Sequence, residues 1–550
     1  MLESHFAAPR ASERTSLRDT DPEATLWDVL VVGTGVGGAT VGYALAQTGR
    51  RVLFIEKGLD VRPQAGGISG RYVEDTRGFR SRSPAQRRDE LARGGRATST
   101  IDKVDGARRS AFVPYVGTGT GGSSALFGMV MERFFPVDFV PAQAFEDRGG
   151  SSLPDAWPIS YESFRPWYER AERLYRVRGT SDPLRSSEDG AALLPPPPLA
   201  AGNAEFSEAL AALGLHPYRL HRAAEQVPGC KTCSAYICAF GCKNDAARMC
   251  LTPALEQHGA HLLTECAATF LDADRTAVRR VVCSWRGRRL ELRAKTVILA
   301  AGALASPALL LNSRSELWPN GLANDSGMVG RNLMLHISEL YVLATAPKTP
   351  ENAWRREIAF NDYYAASFGK FASVQSAGPP PPLSYHRNRT GLNLWRLLGP
   401  LAPLVWNPLS RRPFLGFYME DLPYFENRVW PESAADADGN VRLGLRYRLG
   451  PSDRSRLRLF ARLLVSRLRP FRPIPIFRVG DRQPDVTHAC GTCRFGTDPR
   501  SSVLDPWNRA HGLDNLYVVD SSFFPSSAGT NPSLTIAANA LRVGHHVAMT

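Results

Sequence analysis

Two side chains near the end of the chain are of the types that take a proton from an alcohol and hold its oxygen. His488 lies in THACGTCRFG at 487–496, and Asn531 lies in NLYVVDSSFFPSSAGTNPSLTIAANALR at 515–542. An alcohol carbon gives up hydride poorly while its oxygen keeps the proton. A neutral imidazole, with an ordinary pKa near about 6.5, is a suitable base at working pH. A carboxamide can orient the same oxygen and stabilise developing alkoxide charge. The hydride needs an acceptor, so the pair implies a redox cofactor held elsewhere in the chain. Taken one at a time, a His in a Cys-rich turn is more often structural and an Asn before Pro more often a turn residue. Together, within H-x-x-G-T and G-x-N-P blocks, they favour catalysis.

The elements that would position a cofactor stand at the other end. From Trp27 the chain reads DVLVVG, TGVGG, ATVGYALAQTG and RVLFIEKG, which predicts strand, tight turn, helix and strand, a β-α-β unit. Gly33, Gly35 and Gly38 form G-x-G-x-x-G in the strand-to-helix context that dinucleotide binding requires. Gly33 suits the turn, Gly35 lets backbone approach a pyrophosphate, Gly38 permits close packing, and the helix N-terminus favours the phosphate charge. Glu56, 18 positions beyond Gly38, is placed to meet ribose hydroxyls. The loop alone serves FAD or a nicotinamide cofactor equally.

Length and composition bound the rest. At 550 residues the chain exceeds a single core, so two domains or one elaborated α/β domain are expected. Hydrophobic content of 43% with 22% charged residues is that of a globular protein. The formal charge of +14, with Arg71, Arg77, Arg80, Arg82, Arg87, Arg88, Arg93 and Arg96 clustered, reads as solvated surface, since no nucleic-acid motif accompanies it. No nucleic-acid partner is expected. The first 25 residues lack an apolar run, so the expected compartment is cytoplasmic. LNLWRLLGPLAPLVW at 392–406, broken by Arg396, Gly399, Pro400 and Pro403, is too short to cross a bilayer. SDRSRLRLFARLLVSRLR at 452–469 is expected to pack its Leu face on the protein, with membrane-surface contact the lesser expectation.

Residues 60–110 are Arg- and Gly-rich and read mostly as loops. A second glycine loop, GTGTGGSSALFG, follows at 117–128, and KTVILAAG at 295–302 reads as a strand that resumes the cofactor domain after an insertion.

DVLVVGTGVGG, GTGTGGSSALFGMVMERFFPVDF, GALASPALLLNS and the NLYVVDSSFFP…GTNPSLTI ending resemble the glucose-methanol-choline (GMC) oxidoreductases along nearly the whole chain. The resemblance implies an α/β fold, a discontinuous Rossmann-like FAD-binding domain with a second α+β substrate-binding domain built on an antiparallel sheet. The expected division is a polar tail at 1–25, FAD-binding segments at 26–150, 230–335 and 486–550, and substrate-binding segments at 151–229 and 336–485. It also implies FAD as cofactor and hydride transfer from an alcohol carbon to flavin N5. By motif position, Gly33, Gly35, Gly38 and Glu56 would hold the ADP half. Gly121, Gly122, Ser123 and Ser124 would approach the isoalloxazine, Asp520 would meet the ribityl-pyrophosphate region, and His488 and Asn531 would face the substrate.

The expected partners are a small-molecule alcohol and an electron acceptor, oxygen or another. DLPYFENRV at 421–429 and the region 333–364 resemble family members acting on sugars or sugar-bearing natural products. Phe414, Phe417, Tyr418 and the run at 392–406 favour an apolar lipid, terpenoid or polyketide alcohol as the alternative. A third reading is cyanohydrin lyase chemistry with an idle flavin. Five of the nine cysteines crowd at Cys230, Cys233, Cys238, Cys242 and Cys250. Plain thiols are preferred there, with iron–sulfur or zinc ligation by Cys230, Cys233, Cys238 and Cys242 as alternatives. Cys490 and Cys493, beside His488, read as structural.

Overall fold

Near-continuous apolar runs are the mark of strands buried on both faces, and DVLVV, VLFI and TVIL behave accordingly. In a computed structural model of the chain, strand Leu26–Val32 pairs in parallel with Val52–Ile55 on one side and with Arg288–Leu299 on the other. His261–Leu263 and Leu516–Val518 extend the parallel set, and Cys266–Ala273 and Val278–Trp285 add an antiparallel meander, giving seven strands. The structure describes residues 21–62, 65–145, 147–186, 189–225, 227, 230, 233–346, 356–378, 397–435, 441–479 and 485–550.

Helix Val36–Ala46 packs on this sheet, and the C-terminal helix Ser533–Met549 packs on that helix through small residues, Gly544 lying against Val41 and Ala44. Helix Tyr161–Tyr175 docks on the C-terminal helix, with the Tyr168 hydroxyl 2.8 Å from Thr535 Oγ1. Its Tyr161, Phe164, Tyr168 and Tyr175 join the same core.

A second sheet is antiparallel throughout, in the order Pro473–Val479, Ile337–Leu343, Phe414–Met419, Ala372–Ser376, Ile358–Phe360 and Tyr218–Arg219. Helix Pro451–Arg467 covers one face through Leu457, Phe460 and Leu464, as the spacing of its Leu residues predicts. The Phe460 ring stands 4.9 Å from Phe417 and 5.5 Å from Phe371, each such burial being worth about 2 kcal/mol. Side chains alternate across a strand, so Ser338, Leu340, Gln375, Gly416 and Tyr418 point the other way, where they floor a cavity between the two sheets.

The stretch 60–110 differs from the expected loops. Pro84–Arg93 is a helix closed by a Ser83–Gln86 capping box. Ile101–Asp105 and Arg108–Phe112 form a hairpin that joins Arg428–Ala435 and Val441–Arg446 in a four-stranded sheet. Arg108–Phe112 is mostly exposed, so no apolar alternation advertises it, and the hairpin's partner strand lies far along the chain. The polar tail over 1–20, the proline cluster Pro379–Pro382 and positions 392–396 of the apolar run lie outside the described residues. Among those described, no helix is long and apolar enough to cross a membrane.

Candidate active site

Gly33 takes φ of +100°, and a Cβ there would stand 2.5 Å from the Ala300 carbonyl oxygen, so the turn admits only glycine. Gly38 faces the Gly33 carbonyl and Ala300 at the same crowded junction. Gly35 is the opposite case: a Cβ would meet nothing within 4 Å. Gly35 is also the N-cap of helix Val36–Ala46, with no side-chain cap and no acidic residue in the first turn. Open space beside unsatisfied amides at a positive helix end fits a pyrophosphate.

The Glu56 carboxylate is buried and tied to backbone. Oε2 accepts from the Thr34 amide at 3.2 Å and the Thr34 hydroxyl at 2.8 Å, while Oε1 accepts from the amides of Gly58 and Gly119 at 3.0 and 3.2 Å. It therefore clamps the first glycine loop to the second. A Cβ on Gly122, at φ +53°, would lie 2.9 Å from Gly35 Cα, so the two loops touch there. Gly122, Ser123 and Ser124 line the cavity, whereas Gly121 sits behind them against Ala247. The Ser124 hydroxyl donates to Gly121 O at 2.6 Å and accepts from the Ala246 amide at 3.0 Å, a loop-shaping role. Asp520 is buried with both oxygens engaged: Oδ2 accepts from the Gly302 amide and the Ser306 hydroxyl at 2.9 and 2.5 Å, and Oδ1 from the Ser522 amide and hydroxyl at 2.9 and 2.6 Å. Burial raises its pKa.

A cavity of about 990 Å³ runs from this cradle to the floor of the second sheet, and Gly33, Gly35, Glu56, Asp520, His488 and Asn531 all line it. The two ends of the chain meet around one space. Gly38, packed behind the turn, does not line it.

His488 closes the short turn Val486–His488, whose amide at Thr487 is capped by Asp485. Its Nδ1 stands 3.0 Å from Nδ1 of His336, and its ring lies 5.1 Å from that of Tyr418. Burial first, then the neighbouring His336 ring and the Arg356 charge, holds the His488 pKa well below 6.5. The imidazole is therefore neutral and able to accept a proton. The Asn531 Oδ1 accepts from Gln375 Nε2 at 2.8 Å, which leaves the Asn531 amino hydrogens as the donors available to the cavity.

Sequence reasoning missed His336, Gln375 and Asp421. His336 sits at φ +64°, a conformation few non-glycine residues hold, and Asp421 fixes it. The Asp421 carboxylate accepts from the amides of Leu335 at 2.7 Å and His336 at 3.1 Å, and from the hydroxyls of Tyr447 at 2.6 Å and Ser527 at 2.9 Å. Backbone pairing of Met334 with Cys490 brings the two histidine segments alongside. The faint signal for His336 is a lone polar residue in the apolar run LMLHI.

Cys490 and Cys493 are buried free thiols whose pKa values burial raises well above the ordinary. Cys230, Cys233, Cys238 and Cys242 come together, with Sγ separations of 3.4 Å between Cys238 and Cys242 and 3.5 Å between Cys242 and Cys230. Among the described residues no group of three or more His, Cys, Asp or Glu side chains is disposed to hold a metal ion.

A dinucleotide cradle facing an antiparallel sheet, with a neutral imidazole and an amide donor between, defines an FAD-dependent oxidoreductase acting on alcohol CH–OH groups. FAD, when bound, supplies the hydride acceptor. The chain belongs to the GMC oxidoreductases: the family's N-terminal domain pattern matches residues 28–338 and its C-terminal pattern residues 423–540. It is 31% identical to paromamine 6'-oxidase of Streptomyces fradiae over 96% of this chain and 93% of that one. It is 30% identical to 6'''-hydroxyparomomycin C oxidase of Streptomyces lividus, over 95% and 91%. The fold matches pyridoxine 4-oxidase from Mesorbium loti with TM-score 0.60 at 20% identity, over 94% of this chain and 99% of that one. Formate oxidase of Aspergillus oryzae matches with TM-score 0.61 at 16% identity, over 96% and 99%.

Proposed function

We propose that the enzyme oxidises the alcohol of a sugar-bearing natural product, with His488 as the base, Asn531 as the donor to the alcohol oxygen, and the flavin held over them. The proposed cofactor contacts are Gly33, Gly35 and Gly38 at the pyrophosphate turn, Glu56 near the ribose, Gly121 to Ser124 along the ring, and Asp520 behind the ribityl-pyrophosphate region. We further propose that the chain divides into an FAD-binding part, 26–150, 230–335 and 486–550, and a substrate-binding part, 151–229 and 336–485, with helix Tyr161–Tyr175 reaching across into the first core and strand Ile101–Asp105 reaching across to Val441–Arg446.

The observation that carries the reading is the polar floor beneath the base: Ser338, Gln375 and Tyr418 offer hydroxyl and amide partners on the cavity side of the second sheet, beside His488 and Asn531. Sugar recognition needs such a convergent set. The two relatives named as oxidases of paromamine and hydroxyparomomycin support it. An anaerobic panel of sugar, aminosugar, terpenoid and long-chain alcohols, followed at the flavin absorbance band, tests it. Bleaching by the sugar alcohols is expected. Bleaching by apolar alcohols alone would replace this reading with the alternative that Leu340, Ala377 and Phe414 favour at the same cavity. Turnover of a cyanohydrin without bleaching by any alcohol would indicate lyase chemistry. Adding oxygen or an artificial acceptor after bleaching identifies which one returns the flavin to its oxidised form.

A further inference from the structure

Arg356 has no part in the chemistry assigned to His488 and Asn531, yet it lines the same cavity and lies close enough to His488 to disfavour protonation of that ring. Its guanidinium lies over Gly128, the last residue of the second glycine loop. A Cβ at that position would collide with Nη1 and come within 3.2 Å of Cζ, so glycine there makes room for the charge. The Arg356 Nε is buried and has no acceptor among the described residues, which give the side chain no ion pair either. Of the acids on the cavity wall, Glu56 and Asp520 hold backbone and hydroxyl donors, Asp485 the Thr487 amide, Glu265 the Arg286 side chain and Glu339, through Oε2, the Tyr341 hydroxyl, while Asp89 stands exposed to water on helix Pro84–Arg93. An arginine partly held off water without a carboxylate partner is costly unless an anion joins it. Its planar fork matches a carboxylate, sulfate or phosphate.

We propose that Arg356 reads an oxyanion on the substrate, so that the alcohol presented to His488 and Asn531 carries an acidic group and is not a multiply aminated sugar. The inference rests on the proposed placement of the alcohol at that pair. It separates this enzyme's substrate class from those in the names of its aminoglycoside-oxidising relatives. An ammonium group beside Arg356 would be repelled, and the repulsion acts on binding before any chemistry.

The test is binding to the oxidised holoenzyme, read from perturbation of the flavin spectrum, with probes that differ chiefly in charge: glucuronate, glucose phosphate, glucose and glucosamine. The wild type is expected to bind the anionic sugars at least about tenfold more tightly than glucose, and glucosamine most weakly. Whether glucuronate or glucose phosphate leads tells carboxylate from phosphate. Arg356→Met should bring the anionic and neutral sugars within about twofold of each other, and Arg356→Lys should keep part of the preference. Hydroxybutanoate, butanediol and aminobutanol repeat the charge series without a sugar, so failure of the sugar reading leaves the charge test standing. The proposal is overturned if neither series favours its anion, or if Arg356→Met leaves the preference intact. An equal loss for every probe would also overturn it, assigning Arg356 to the flavin instead.

Discussion

The Nδ1 atoms of His336 and His488 face each other at 3.0 Å, and the far side of His336 decides what that contact means. Its Nε2 lies 2.9 Å from the Ser527 carbonyl oxygen and 3.0 Å from that of Ala528. Carbonyls only accept, so Nε2 carries the hydrogen, and with one hydrogen on the ring Nδ1 accepts. His488 must then donate through Nδ1, which leaves its Nε2 with the free lone pair. His336 thus selects the basic tautomer of its neighbour. Replacing His336 by Ala should slow flavin reduction about 10–100-fold while FAD stays bound. A wild-type reduction rate in stopped flow would deny His336 that role.

The proposed base should show itself in the pH profile. Because the His488 pKa lies well below 6.5, reduction should be level across neutral pH and fall only on an acid limb below 6.5, as the ring takes up a proton. His488→Ala should cost about 10²–10⁴-fold in reduction with the yellow cofactor retained. Arg356→Met removes a charge that helps depress the ring and should move the acid limb upward. The same depression costs stability in acid: below about 6.5 the unfolded chain protonates this histidine while the folded chain does not. A limb at or above 6.5 in the wild type contradicts the assignment.

How much of this was legible in sequence follows how local each contact is. Gly33, Gly35 and Gly38 fall within six consecutive residues, so spacing alone predicts the strand-to-helix junction they build. His488 and Asn531 stood in short recognisable blocks. Asp421, by contrast, gathers donors from residues 335, 336, 447 and 527, positions far apart along the chain. Gln375 reaches Asn531 across 156 positions. No periodicity encodes such partners, because a strand's pattern says which face is buried and not which distant side chain lies opposite. Ser124 illustrates the converse: its motif position was plain, but its hydroxyl turns inward to Gly121 and Ala246.

Asn531 is held by Gln375 so that its amino group, not its oxygen, serves the cavity. Asn531→Ala should lower the reduction rate about 10²–10³-fold, the usual cost of one donor to a developing oxyanion. Asn531→Asp should do at least as badly, since a carboxylate opposes alkoxide charge. Recovery of activity in the Asp variant at neutral pH would show that the amide is not donating.

Asp421 should reveal itself in folding as well as rate. Removing its carboxylate strands two backbone amides and two hydroxyls in the interior and releases His336 from its positive φ. Asp421→Ala is expected to cost about 2–4 kcal/mol in denaturant unfolding of the holoenzyme. Flavin reduction should slow with it, and Asp421→Asn, which keeps one acceptor oxygen in place of two, should fall between. Equal stability of the Ala variant would mean that other groups satisfy those donors.

The cofactor cradle can be separated from the fold at Gly35. Its φ of −67° is open to any residue, and an added Cβ would touch no protein atom within 4 Å. Gly35→Val should therefore leave the melting temperature of the apoprotein within about 2 °C of wild type, as a surface change would. The new side chain would occupy the space proposed for the pyrophosphate and block its approach to the amides of helix Val36–Ala46. FAD affinity should fall at least about a hundredfold in equilibrium titration. Gly38→Val is the control with the opposite outcome: crowded by the Gly33 carbonyl and the Ala300 side chain, it should impair folding whether or not FAD is present. A Gly35→Val protein that bound FAD normally would place the pyrophosphate somewhere other than this turn.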